Sequence, residues 1–119
     1  MVVILSLMEQ YHDRLNTVFQ ALADPTRRAV IGRLGRGPAS ISELAQPFDM
    51  ALPSFMKHIH LLEESGWIRT NKQGRVRTCA IEKAMFSTVD GWLADQRALW
   101  EDRTDRLEHF VTNQKKDTQ

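Results

Sequence analysis

The sequence predicts a mostly α-helical protein with one small β-hairpin, about five helices and a long last helix. Three observations carry this prediction. Two short helical patterns lie back to back across residues 42–65, and a hairpin pattern with a cationic loop follows at once. From Glu82 to about Asn113 there is no proline, and apolar residues recur at steps of three, four and seven, the spacing of one helical face. Two helices joined by a tight turn and followed by a basic hairpin make a winged helix-turn-helix, in which the second helix can enter a DNA major groove.

A chain of 119 residues is the size of one domain. Within it, 9–23 and 82–113 read as dimerisation helices around a DNA-binding core at 24–81. The formal net charge is only +1, but it is unevenly placed. Residues 52–80 hold five Lys/Arg against two Glu, whereas from Glu82 onward Asp and Glu outnumber Lys and Arg eight to six. Local basicity of this kind is what a groove-binding surface needs. The single cysteine, Cys79, forms no intramolecular disulfide and fits a reducing, cytoplasmic setting. It reads as a half-buried strand residue, with a reactive or ligand role as the alternative. The opening run Met1–Met8 is too short to span a bilayer and lacks the features of a signal peptide. Either it packs on a dimer, or Met8 is the true start.

The first helix is expected from Glu9 to Ala23, with Leu15, Val18, Phe19 and Leu22 on its stripe. Asp24 is an N-cap and Pro25 a first helical residue for the second helix, which carries Ala29, Val30, Ile31 and Leu34 inward and ends at Gly35 and Gly37-Pro38. Thr26, Arg27 and Arg28 sit at its first turn, either as a solvated cap or as phosphate contacts. The third helix has Ser40 and Glu43 at capping-box spacing and must hold Pro47 in its last turn. Ile41 is also open to a one-residue strand beside the hairpin. A tight connection, Asp49-Met50-Ala51, leads into the fourth helix.

The fourth helix begins near Leu52-Pro53 and ends at Ser65-Gly66, burying Phe55, Ile59, Leu61 and Leu62. Its first half is small, polar and basic. Ser54, Lys57 and His58 are base-edge candidates, lysine and histidine for guanine acceptors. Met56 reaches a thymine methyl or packs inward. The hairpin pairs Trp67–Thr70 with Arg75–Ile81 across Asn71–Gly74, and places Lys72, Arg75 and Arg77 for phosphate contact.

An unbroken last helix is about 48 Å long and overhangs a globule whose radius of gyration is about 13.5 Å. Exposed tryptophans on the overhang favour a partner. A two-fold dimer built on Leu15, Phe19, Val89, Trp92, Leu93, Trp100, Leu107 and Phe110 satisfies them. A break near Gly91 is the alternative, and the polar tail from Gln114 is expected to fray.

Catalytic signatures are missing: there is no phosphate-cradling glycine loop, nucleophile elbow or HExxH pair. His58 and His60 fall on different faces of their helix, and His109 reads as helix surface, with a shared metal site as a remote alternative. No enzyme activity, metal or cofactor is therefore expected.

Ala23-Asp24-Pro25-Thr26-Arg27-Arg28, Glu43-Leu44-Ala45, Leu52-Pro53 through Lys57-His58-Ile59, and Leu62-Glu63-Glu64-Ser65-Gly66-Trp67-Ile68 together resemble the ArsR family of bacterial winged-helix repressors, over about Leu15 to Ile81. The resemblance implies a homodimer that binds a near-palindromic operator on double-stranded DNA and blocks transcription. It departs from the family's metal sensors: Ala45 and Pro47 stand where their two cysteines fall, and Gln46-Pro47-Phe48 is similar to the metal-independent branch. The inducing signal is left open. Two rivals remain, a winged helix that binds a protein partner and a metal- or redox-responsive repressor using Cys79 or His109.

Overall fold

The computed structural model describes Val2–Asp117, with side chains as far as Asn113. The elements run α1 (Val2–Leu22), α2 (Pro25–Leu34), β1 (Ala39–Ser40), α3 (Ile41–Ala45), α4 (Leu52–Glu64), β2 (Ile68–Gln73), β3 (Val76–Ile81) and α5 (Lys83–Asp117). This is a winged helix-turn-helix with five helices and a small antiparallel sheet of order β1-β3-β2. The chain divides into two compact units, Met1–Lys83 and Ala84–Gln119.

In the first unit the helix boundaries follow from local chemistry. Asp24 is extended, its Oδ2 accepts the Arg27 N–H at 3.1 Å, and Pro25 opens α2. Ser40 caps α3 in the same way, accepting the Glu43 N–H at 3.2 Å. Helix α4 closes through Gly66, whose φ of 87° is open to glycine without strain. The Gly66 N–H then reaches the Glu63 carbonyl and the Trp67 N–H the Leu62 carbonyl, which satisfies two of the helix's last carbonyls.

Four expected boundaries move. Helix α1 begins at Val2 rather than Glu9, because a run of Val, Ile, Leu and Met contains no helix breaker and needs no amphipathic pattern to be helical. Met1 lies outside the described residues. Helix α3 stops at Ala45, so Pro47 lies beyond it and residues 46–51 form the connection to α4. The extra strand is Ala39–Ser40, pairing with Cys79 and Thr78, rather than Ile41. The hairpin strands extend through Asn71–Gln73, leaving Gly74 and Arg75 as a two-residue turn. Only Gly74 there has a positive φ, 62°, which fits a hairpin turn with glycine in first position.

The core gathers Val18 and Ala21 of α1, Val30 and Leu34 of α2, Leu44 of α3, Phe55, Ile59 and Leu62 of α4, then Trp67, Ile68 and Cys79. Each large apolar side chain buried here stabilises the fold by about 1.5–3 kcal/mol. Ala29 is exposed rather than inward. Trp67 also donates its indole N–H to the Val18 carbonyl at 2.9 Å, so one side chain ties α1 to the start of the hairpin.

The second unit is the body of α5. Its 35-residue helix runs about 52 Å at 1.5 Å per residue with no interruption at Gly91. The tail expected to fray from Gln114 is helical as far as Asp117, and its last two residues lie outside the described residues. Leu93, Leu99, Trp100, Leu107, Phe110 and Val111 are exposed on this helix.

Candidate nucleic-acid interface

Helix α4 turns Phe55, Ile59 and Leu62 into the core. At 100° per residue, its opposite face then carries Pro53, Lys57, His60, Leu61 and Glu64, with Ser54 at its edge; Leu61, expected in the core, is half-buried there, and the others are exposed. Met56 is half-buried. Sequence reasoning missed His60, although its step of three from Lys57 placed it on the same face. His60 borders a groove with Glu63, Glu64 and Arg77, beside the hairpin wing.

The wing is a cationic ribbon. Lys72 lies directly opposite Arg77 in the β2–β3 ladder, and Arg75 sits in the turn. Like charges placed directly opposite each other are destabilising, so the fold gains nothing from pairing them. Lys72 and Arg75 are exposed. Arg77 is half-buried and donates to Thr70 Oγ1 at 3.1 Å. Among the described residues no ion pair joins Lys57, Lys72, Arg75 or Arg77 to a carboxylate.

The start of α2 differs from expectation. Arg27, expected at a phosphate, is bound on three sides by the protein: its Nε donates to the Ala21 carbonyl at 2.8 Å, one terminal nitrogen to the Gln20 carbonyl at 3.0 Å, and the other lies 3.0 Å from His58 Nδ1. Arg28 donates to the Leu22 carbonyl at 2.8 Å. The last carbonyls of a helix lack intrahelical partners and favour cations, and α1 has no basic residue in its own last turn. The two arginines supply that cap from six residues downstream. Thr26 is half-buried at the same turn.

His58 is consequently half-buried, with 22% of its side chain exposed, and its Nδ1 is 3.7 Å from Asp24 Oδ2. Burial pushes the Asp24 carboxyl up, but the Arg27 backbone N–H, His58, the Thr26 N–H and the Arg27 charge together hold it below the ordinary value. A carboxylate held low stabilises the fold fully above its unfolded pKa of about 4 and loses that contribution as pH falls through the lower folded value. Asp24→Ala is expected to cost about 1 kcal/mol at neutral pH through the lost cap, and the gap from the parent protein should close in acid. Urea unfolding at several pH values measures this; a gap that widens as pH falls contradicts it.

Cys79 sits in the central strand with Ala39 and Thr70 as neighbours. Burial and the Glu63 carboxylate push its thiol up, with Arg77 opposing. The thiolate, the reactive form, is thus disfavoured. Among the described residues no three of His, Cys, Asp and Glu are grouped to hold a metal ion, and His109 is exposed. No described helix is long and apolar enough to cross a membrane.

Of the residues expected at a dimer contact, Leu15 is already 6% exposed within one chain. Phe19, Val89 and Trp92 are half-buried, and Leu93, Trp100, Leu107 and Phe110 are exposed.

A helix-turn-helix domain family matches residues 22–70. The crystal structure of an ArsR family transcriptional regulator is 76% identical, with a TM-score of 0.74, and the match covers 76% of this chain and 94% of that one. The transcriptional repressor SdpR of Bacillus subtilis (strain 168) is 25% identical over 79 residues, 66% of this chain and 88% of SdpR. The solution structure of a homodimeric winged helix-turn-helix DNA-binding domain from Mycobacterium bovis is similar in fold, at 18% identity and a TM-score of 0.62, covering 76% of this chain and 86% of that one.

Proposed function

The chain belongs to the ArsR family of transcriptional regulators, and from that premise we propose that it is a cytoplasmic, homodimeric repressor that binds a near-palindromic operator in double-stranded DNA. The observation that carries the reading is the unpaired cationic surface: Lys57 on the outer face of α4 and Lys72, Arg75 and Arg77 on the wing. A cation paired with no carboxylate is available to phosphate, where it supplies affinity and salt dependence. Ser54, Lys57, His58 and His60, with Met56 against a thymine methyl, supply the choice of sequence. Thr26 adds a phosphate contact at the first turn of α2. No step of this function calls on a metal, a cofactor or catalysis.

The dimer follows from α5. Leu93, Trp100 and Leu107 recur at intervals of seven and are exposed, the arrangement of a helix seam that packs on its twin. The homodimeric state of the Mycobacterium bovis domain and the repressor role of SdpR support this reading. Two α4 helices held about 34 Å apart read two half-sites one DNA turn apart. Any signal that shifts α5 against its mate changes that separation and releases DNA.

Lys57→Ala tests the surface. It is expected to weaken specific binding by about 1–3 kcal/mol if Lys57 reads a base, or to reduce the salt slope by about one if it meets a phosphate, with the dimer intact. Anisotropy titrations at several salt concentrations distinguish the two, and an unchanged affinity and slope remove Lys57 from the interface.

A further inference from the structure

Arg27, Asp24 and His58 form a polar cluster where α1, α2 and α4 meet. Arginine carries only donors. With a guanidinium nitrogen 3.0 Å from His58 Nδ1, that ring nitrogen must accept. The competing partner, Asp24 Oδ2, is 3.7 Å away, beyond hydrogen-bond length, so the carboxylate does not hold a proton on Nδ1. In the neutral ring the proton therefore sits on Nε2. His58 is only partly exposed, yet among the described residues no buried side-chain nitrogen or oxygen lacks a partner, and none of those residues hydrogen-bonds Nε2. Nε2 thus reaches solvent, from the helix that carries Ser54 and Lys57.

We propose that Arg27 is a positioning residue: anchored on the last carbonyls of α1, its guanidinium fixes His58 in the tautomer that presents Nε2–H outward as a donor to an acceptor on bound DNA. This rests on the function proposed above. Arg27 thereby acts through His58 rather than on a phosphate itself. The same guanidinium bonds the Gln20 and Ala21 carbonyls at the end of α1, which fixes it in place beside His58. The acceptor is a phosphate oxygen or a base-edge acceptor such as guanine O6 or N7, and binding to operator against unrelated DNA separates the two.

Long-range proton–nitrogen NMR of the imidazole, on the full chain at a pH where the ring is neutral, reads the tautomer directly. Nε2 should carry the proton and Nδ1 should be bare, and Arg27→Met should abolish the hydrogen-bond shift at Nδ1. A ring protonated on Nδ1 overturns the inference, and this readout needs no variant that folds. DNA titrations complete the test. Arg27→Met should weaken binding about tenfold in the parent, yet by less than twofold in a His58→Gln background, since the two act in series. Equal losses in both backgrounds also overturn it. A loss on every DNA marks a phosphate acceptor, and a loss confined to operator marks a base. Failure of the parent protein to bind any DNA falls on the proposed function, whereas a Nδ1-protonated ring falls on this inference alone.

Discussion

Trp67→Ala should destabilise the protein by about 3–5 kcal/mol, the range for removing a buried aromatic from a packed core. Trp67 is 2% exposed and joins two parts of the first unit through its indole N–H on the Val18 carbonyl. Its backbone takes part as well: its N–H closes α4 on Leu62, and its carbonyl accepts the Glu82 N–H at 2.8 Å. Alanine keeps the backbone bonds and removes everything else, leaving a cavity between helix and hairpin. A small domain has only about 5–15 kcal/mol of stability in total, so the variant should be largely unfolded in mild denaturant. Trp67→Phe keeps most of the volume and loses one hydrogen bond, a cost of about 0.5–1.5 kcal/mol. Denaturant unfolding at fixed protein concentration measures both. A Trp67→Ala loss below about 1 kcal/mol contradicts the core described here.

Trp100→Ala acts at the other end of the proposal. Trp100 is 68% exposed on α5, and a tryptophan in that position is costly unless a partner covers it. At the centre of a helix seam its truncation is expected to cost about 2 kcal/mol or more of dimer stability, raising the dissociation constant roughly thirtyfold. Operator binding should fall with it, because two half-sites joined in one molecule gain about 10²–10⁴ in avidity that separated subunits lose. Sedimentation across a dilution series reads the first effect and DNA titration the second. A variant that stays dimeric at the parent's lowest concentration removes Trp100 from the seam.

Much of the fold was legible because it is written in local chemistry. Asp24-Pro25, Ser40 with Glu43, Ser65-Gly66 and Gly74 each mark a boundary through a hydrogen bond or a positive φ that only certain residues supply. The long last helix was legible because nothing in it stops a helix. What was misread depended on pairing at a distance. Asn71, Lys72 and Gln73 are polar residues of low strand preference, yet they extend the ladder because Val76–Thr78 lie opposite. The amphipathic pattern placed the start of α1 at Glu9, but such a pattern reports packing, and a helix can run on without it.

The interface divides along the same line. That Lys57 and Ser54 lie outward on α4 was legible from its period alone, and so was the place of His60. Arg27 was not: adjacent basic residues after an N-cap look alike whether they face solvent or turn back, and here the last carbonyls of α1 decide. His58 was singled out on α4, but its half-buried state was not legible, since its partners Asp24 and Arg27 lie more than thirty residues earlier in the chain.

Selection of bound DNA from a random-sequence pool by the full-length protein, at moderate salt, tests the central claim most directly. The account predicts enrichment of an inverted repeat with half-sites about one turn apart, bound in a salt-dependent way and lost in parallel with Lys57. A pool that emerges without an enriched motif, bound no better than its starting material, would contradict a sequence-specific regulator and leave α4 and the wing as a surface for some other partner.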